Sequence, residues 1–395
     1  MSNDLTSEIA EDRELFDGGP SNRLQGALHL RSPGRPHVVR RAVVVAVLTW
    51  GMLAVLAVAE ELRRHDGSAR SFFTDVATYA RFLIAGPLFI FAERDCIPRL
   101  GSVARHFVEG GFVTELDSDR FDAAVASTHR LLDSKLAEIV VVILAYSIVI
   151  TLYEFTAADS LSVWLRSSLN SQDLSPAGWW QALVSLPVVG VILLGWLWRV
   201  FLWWRLLWLI SLLKLRLIPG HPDRCGGLKF VSNSLRGFRL LAFALGSIAA
   251  GVAANRVLRG EAHPVAFRYA SAALVIIVVA LFVGPLTVFV KQLRTTKKRG
   301  IFEYGALAGY LGWQFEQKWL DPKGRIDQTA LEVGDFSATT DLYQVVSNVY
   351  GMKDFPFGLS NFSNLIAATL IPFIPVALLA VPFDVVLKEL TKFFL

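Results

Sequence analysis

Seven stretches of this chain are too long and too apolar for water to be their only solvent. They run roughly over Ala42–Ala59, Val76–Phe91, Ile139–Phe155, Trp179–Trp198, Leu240–Val257, Ala270–Val290 and Leu365–Phe383. A backbone in lipid must satisfy its own hydrogen bonds, so apolar runs of about 20 residues read as membrane-spanning helices. The expected fold is all-α: a polytopic membrane helical bundle of about seven transmembrane helices with a small cytosolic helical cap. Composition agrees, with 53% hydrophobic and only 18% charged residues, which is unlike a soluble domain. The second run is the weakest, because Arg81 interrupts it. The seventh contains Pro372, Pro375 and Pro382, which predict a kinked or re-entrant segment.

Cations orient the set. Residues 1–41, 94–136 and 214–239 hold six lysines and arginines each, and 291–362 hold nine. The alternate segments 61–71, 158–178, 256–268 and 384–395 hold three, one, three and two. The positive-inside rule then puts the N-terminus in the cytoplasm and the C-terminus in the periplasm. The implied organisation is a polar tail (1–41), spans one to six (42–290) with a cytosolic helical insert (94–136) and loop (214–239), a cytosolic helical segment (291–362), and a last span with its tail (363–395). No apolar signal peptide is expected in the polar first 40 residues. Cys96 and Cys225 both fall in segments assigned to the cytosol, so no structural disulfide is expected.

The cap reads as helical. "SDRFDAAVASTHRLLDSKLAE" is amphipathic, and "TTDLYQVVSNVYGM" places Leu342, Val345, Val346 and Val349 at helical spacing. "IFEYGALAGYLGWQFEQKWL" does the same from Ile301 to Trp319 and reads as the continuation of span six. "DPKGRIDQ" and "KDFPFG" read as loops. An internal echo links "LIAGPLFIF" (83–91) to "LFVGPLTVF" (281–289). Either spans one to three and five to seven are parallel repeats, or Gly-Pro simply recurs in membrane helices.

Four features could carry chemistry. Arg81 lies inside a span, where a charge needs a partner or water, and Glu154 and Glu60 are the acids placed to supply one. A structural ion pair and a solute pathway are the two readings. In span four, "GWLWRVFLWWRLLW" sets Arg199 and Arg205 among tryptophans, either as snorkelling anchors or as an anion or lipid-headgroup site. Span five repeats Ala242, Gly246, Ala250 and Ala254, a small-residue face for close helix packing.

The fourth feature is "RLIPGHPDRCGGLKF" (216–230). His221 and Asp223 would fix a cytosolic turn. Arg224, Gly226, Gly227 and Lys229 would offer cations and free amides to a phosphate or lipid headgroup. His-x-Asp-x-Cys supplies at most three ligands of mixed hardness, so no metal site is expected. No cofactor, no nucleic acid and no catalytic residue are expected either.

Several blocks together resemble an uncharacterised family of multi-pass inner-membrane proteins of proteobacteria: "LFDGGP", "ARFLIAGPLFIFAE", "RHFVEGG", "WLWR", "LIPGHPDRCGGL", "KRGIFEYGALA", "KWL" and the "PF" before the last span. The resemblance runs over nearly the whole chain and implies a bacterial inner-membrane location. It implies no activity. Where the family pattern would have a small residue and a glycine, this chain has Cys225 and Lys229, which counts against Cys225 as an essential nucleophile or ligand. The block "DLYQVVSNVYGMKDFPF" also departs from the Asn-Ser and acidic pattern expected there.

Two functions follow as expectations. The first is a transporter or channel-like protein for a small or anionic solute. The second is a membrane regulatory or scaffold protein binding a protein partner or anionic lipid of the inner leaflet on its cytosolic face. An enzyme of lipid chemistry, resting on His221 and Asp223, comes third, and a homo-oligomer is compatible with all three.

Overall fold

The computed structural model describes residues 15–16, 18–19, 38–155, 162–167, 173–261, 266–319 and 335–379. In chain order its longer helices are α1 (Val38–Arg64), α2 (Val76–Glu109), α3 (Ser118–Leu132), α4 (Lys135–Phe155), α5 (Pro176–Ser211), α6 (Arg239–Leu258), α7 (Arg268–Trp319), α8 (Asp335–Tyr350) and α9 (Leu359–Leu378). All but α3 and α8 are long and apolar enough to cross a membrane, and they match the seven apolar runs of the sequence. No β-strand occurs among the described residues. The protein is a polytopic all-α membrane bundle.

α6 sits at the centre because its side chains are small. Ala242, Gly246, Ala250 and Ala254 are all buried. A Cβ on Gly246 would stand 2.2 Å from the backbone oxygen of Thr369 in α9, and one on Gly251 would stand 2.5 Å from Ala80 in α2. Such close approach is how helices associate where no hydrophobic force separates protein from lipid. α4 is the opposite case, its apolar window being 17% buried against 50% for α6. It lies at the periphery.

Proline shapes two spans. Pro87 and Pro187 each follow a π-helical turn, Tyr79–Ala85 in α2 and Gln181–Ser185 in α5. A proline lacks an N–H and crowds the carbonyl four residues back, and a widened turn relieves that crowding. The backbone oxygen of Leu183, four residues before Pro187, accepts instead from the Tyr146 hydroxyl at 3.0 Å. A third π turn, Val47–Gly51 in α1, faces these two, with the Trp180 indole donating to Leu48 O at 3.1 Å and Ser185 Oγ to Thr49 O at 2.9 Å. At the echoing Gly284-Pro285 the chain forms a 3₁₀ stretch, Gly284–Phe289. The matching nonapeptides therefore differ in backbone geometry.

Other elements follow their residues closely. In α9, Pro372 lies within a 3₁₀ turn, Ile371–Phe373, and Pro375 follows it, so the α-helix is broken where the prolines predict a kink. Pro382 and "DPKGRIDQ" lie outside the described residues. The helix expected over 118–138 is broken at Asp133–Ser134, where the Ser134 hydroxyl accepts from Ala137 N at 3.4 Å. A serine side chain competes with the helix ladder for this backbone donor. Beyond its 3₁₀ stretch α7 continues as one α-helix from Val290 to Trp319.

The segments 110–117, 212–238 and 351–358 gather at one end of the bundle, here called the loop end. At the opposite end Asp75 is buried and accepts from Thr78 N (3.1 Å), Asn255 Nδ2 (2.7 Å) and Trp164 Nε1 (3.2 Å). That carboxylate ties α2, α6 and the turn Val163–Leu165 together.

Candidate functional site

The loop from Leu217 to Phe230 folds around one carboxylate. Asp223 Oδ1 accepts from Cys225 N at 2.7 Å and Gly227 N at 3.1 Å, while Oδ2 accepts from Lys229 N at 3.1 Å. His221 Nδ1 stands 2.8 Å from Asp223 Oδ1 and accepts from Asp223 N at 3.2 Å. Burial pushes this carboxyl group's pKa up. The N–H groups of Cys225, Lys229 and Gly227, with the His221 ring, outweigh that and hold it below the ordinary carboxylate value.

The turn needs left-handed backbone at Arg224 (φ 56°), Gly226 (φ 63°) and Gly227 (φ 97°). A side chain on Gly227 would also meet the Phe112 ring at 2.5 Å. Glycine answers both demands.

This arrangement corrects one expectation. The amides of the diglycine turn are not an open anion site, because the anion they cradle is Asp223 itself. A carboxylate two to six residues away in sequence reaches them at almost no cost in chain entropy.

The loop is pinned by the 351–358 segment that follows α8. Lys353 N donates to Arg224 O at 2.8 Å, and Cys225 Sγ donates to Phe355 O at 3.5 Å. Cys225 is buried, and desolvation, helped by Asp223, raises its thiol pKa to about 11. It is a packing residue that stays protonated at neutral pH. No group of three or more metal-type ligands comes together among the described residues.

What the folded loop does create is a cleft of about 670 Å³ between the loop, the last turn of α2 and the start of α9. Its charged lining is Lys229, Arg236 and Lys353, joined by His106 and His221. Asp223 is the acid in the lining, and its oxygens face backbone N–H groups. Ser232 and Asn361 make a polar floor, bonded to each other at 3.0 Å. Phe112 and Phe230, with ring centroids 5.3 Å apart, form an apolar wall, and His106 stacks edge-on to Phe230 at 4.4 Å. The site thus offers three cations and amide and hydroxyl groups beside an aromatic surface. Arg224 is exposed and Lys229 lies at the lip.

The other residues singled out in the sequence sit elsewhere. Arg81 lies in the π turn of α2, with its guanidinium 5.8 Å from the Phe82 ring, and the charge that acts on it is Asp75. Among the described residues it pairs with neither expected acid. Glu60 is held by Arg63 at 2.7 Å and by Arg64, on its own helix, and Glu154 is exposed on peripheral α4. Arg205 does not face lipid either, since it donates to Ser127 in α3 at 2.9 Å.

Arg199 is 1% exposed, so the snorkelling reading fails for it. Its helical phase places it with Trp196, Val200 and Trp203 on the buried face of α5, while Phe201, Trp204 and Trp208 face outward.

There Arg199 belongs to a buried ion network that sequence reading missed. Glu93 of α2 lies 2.8 Å from Arg41 of α1 and 3.5 Å from Arg199. The Arg199 guanidinium also rests 5.1 Å from the Trp196 ring and donates to Gly18 O at 2.8 Å. Arg41 and Glu93 stood at the ends of apolar runs, where charges normally meet water, so no sequence signal separated them from ordinary flanking residues. Neither a family model, nor a curated protein, nor a solved structure matches this chain, so the resemblance of its sequence blocks gains no support from comparison.

Proposed function

We propose that this membrane protein binds a phosphate-bearing anionic ligand in the cleft at its loop end, acting as a regulatory or scaffold protein on the cytosolic face of a bacterial inner membrane. One observation carries the reading: Lys229, Arg236 and Lys353 converge on one cleft whose acid, Asp223, is engaged by its own loop. Charge-assisted hydrogen bonds from such cations are the usual means of holding a phosphate. The cation excess of segments 94–136, 214–239 and 291–362 supports placing this end in the cytosol. The ligand's phosphate belongs either to a lipid headgroup or to a soluble metabolite.

The test is thermal stabilisation of the purified protein in neutral detergent by three probes: inorganic phosphate, glycerol 3-phosphate and dihexanoyl phosphatidylglycerol. Stabilisation by the lipid alone identifies a headgroup site, and stabilisation by the soluble phosphates identifies a metabolite site. Arg236→Ala and Lys353→Ala should each abolish it. No stabilisation by any probe, or one that survives both substitutions, defeats the proposal.

Transport of a small anionic solute is the second reading. The buried Arg41–Glu93–Arg199 network favours it, because ionisable groups inside a membrane bundle mark solute paths in many transporters. Uptake into proteoliposomes that is lost in Glu93→Gln would support it.

A further inference from the structure

The cleft at the loop end has a depth as well as a charge. Asn361 of its polar floor donates to Ser232 Oγ at 3.0 Å and accepts from Arg236 Nε at 3.4 Å. Asn361 stands four residues before Leu365, where the apolar run of α9 begins, and Arg236 stands four before Leu240, where that of α6 begins. Four helical residues rise about 6 Å, and the headgroup layer on each side of a bilayer is about 5–7 Å thick. Two separate spans thus put the floor at the level of lipid phosphates.

Access agrees with depth. Asn233, Arg236 and Ser360 are exposed, and the apolar window of α9 is only 17% buried, so this side of the cleft borders a surface that α9 presents to lipid. Arg239, the first residue of α6, is exposed as well and lies outside the cleft lining. Its Nε donates to Arg236 O at 3.2 Å, which sets a second guanidinium on the membrane side of the first. Among the described residues no carboxylate pairs with either arginine. A small anion taken from water would meet the cleft cations alone. Arginines stepped toward the hydrocarbon suit an anion that continues into the membrane.

We infer that the phosphate held at this cleft belongs to an anionic glycerophospholipid of the surrounding bilayer. Arg236 and Arg239 hold its phosphate, its headgroup points toward Lys229 and Lys353, and its acyl chains stay in the membrane. The inference rests on the cleft being an anion site, as proposed above, and adds what the anion is attached to.

The experiment is calorimetric titration of the purified full chain in neutral detergent with three probes: dihexanoyl phosphatidylglycerol, its deacylated headgroup glycerophosphoglycerol, and zwitterionic dihexanoyl phosphatidylcholine. The anionic lipid should bind at least about tenfold more tightly than either of the others. Arg239→Ala should weaken lipid binding at least about tenfold while the unfolding midpoint stays in place. Glycerophosphoglycerol binding as tightly as the lipid would overturn the inference and leave a site for a soluble anion. Equal binding of the zwitterionic lipid, or an unchanged lipid affinity in Arg239→Ala, would overturn it too. If no probe binds the natural protein, the anion site itself fails and this inference with it.

Discussion

Arg199 and Arg236 carry the same guanidinium, and both lie toward the loop end of one bundle. One is 1% exposed between α2 and α5, fixed by Glu93, Trp196 and Gly18 O; the other lines an open cleft with Lys229 and Lys353. Water makes the difference. A buried guanidinium has given up its hydration and must be matched by the protein, so it is committed to structure. A guanidinium in a wet cleft keeps its hydration at little cost and can exchange it for a ligand's phosphate. Charge alone does not mark a binding site; charge with access does.

The comparison breaks first at Glu93. Glu93→Ala leaves Arg41 and Arg199 without their shared carboxylate, and it should lower stability by about 3–5 kcal/mol. Thermal unfolding in detergent measures this. A loss below about 1 kcal/mol would mean that water reaches the network and that the two regions do not differ as described.

The loop lies between the extremes. Asp223→Ala should cost about 2–3 kcal/mol, because it strands the N–H donors of buried Cys225 and Gly227, while Asp223→Asn should cost less, since an amide oxygen still accepts. The pH dependence has a definite sign. The folded pKa lies below the ordinary value, so the stabilisation is complete above roughly pH 4 and is lost as pH falls through the folded value. Unfolding midpoints measured against pH should fall more steeply below pH 4 in the natural protein than in Asp223→Asn. Parallel curves would show that the carboxylate is not specially held.

Cys225 sharpens the same point with a smaller effect. With a thiol pKa of about 11, about one molecule in a thousand carries a thiolate at pH 8. Iodoacetamide labelling should be slower than for a free thiol by more than about tenfold, and Cys225→Ala should cost about 1 kcal/mol or less. Rapid labelling of the folded protein at this residue would contradict its burial.

The smallest stability effects belong to the cleft. Lys229→Ala, Arg236→Ala and Lys353→Ala should each change stability by no more than about 0.5 kcal/mol. A loss comparable to that of Glu93→Ala would turn the cleft cations into structural ones and remove the ground for ligand binding there.

The sequence by itself determined the number and nature of the spans, because a lipid solvent permits few backbone solutions and the apolar runs are long enough to demand one of them. It also determined the central place of the small-residue helix, the kink at Pro372 and Pro375, and the turn at Asp223, since each depends on residues near one another in the chain. Only the tertiary structure decided the partners of charges. Arg81 had two acids at plausible depth and pairs with neither among the described residues, while Arg41, Glu93 and Arg199 meet from three separate helices. Depth along a helix can be read from a sequence. The direction in which a side chain faces across the bundle depends on helix rotation and on the π turns beside Pro87 and Pro187. The π turns have local prolines behind them, but helix rotation is set by packing against neighbours that the local sequence does not name.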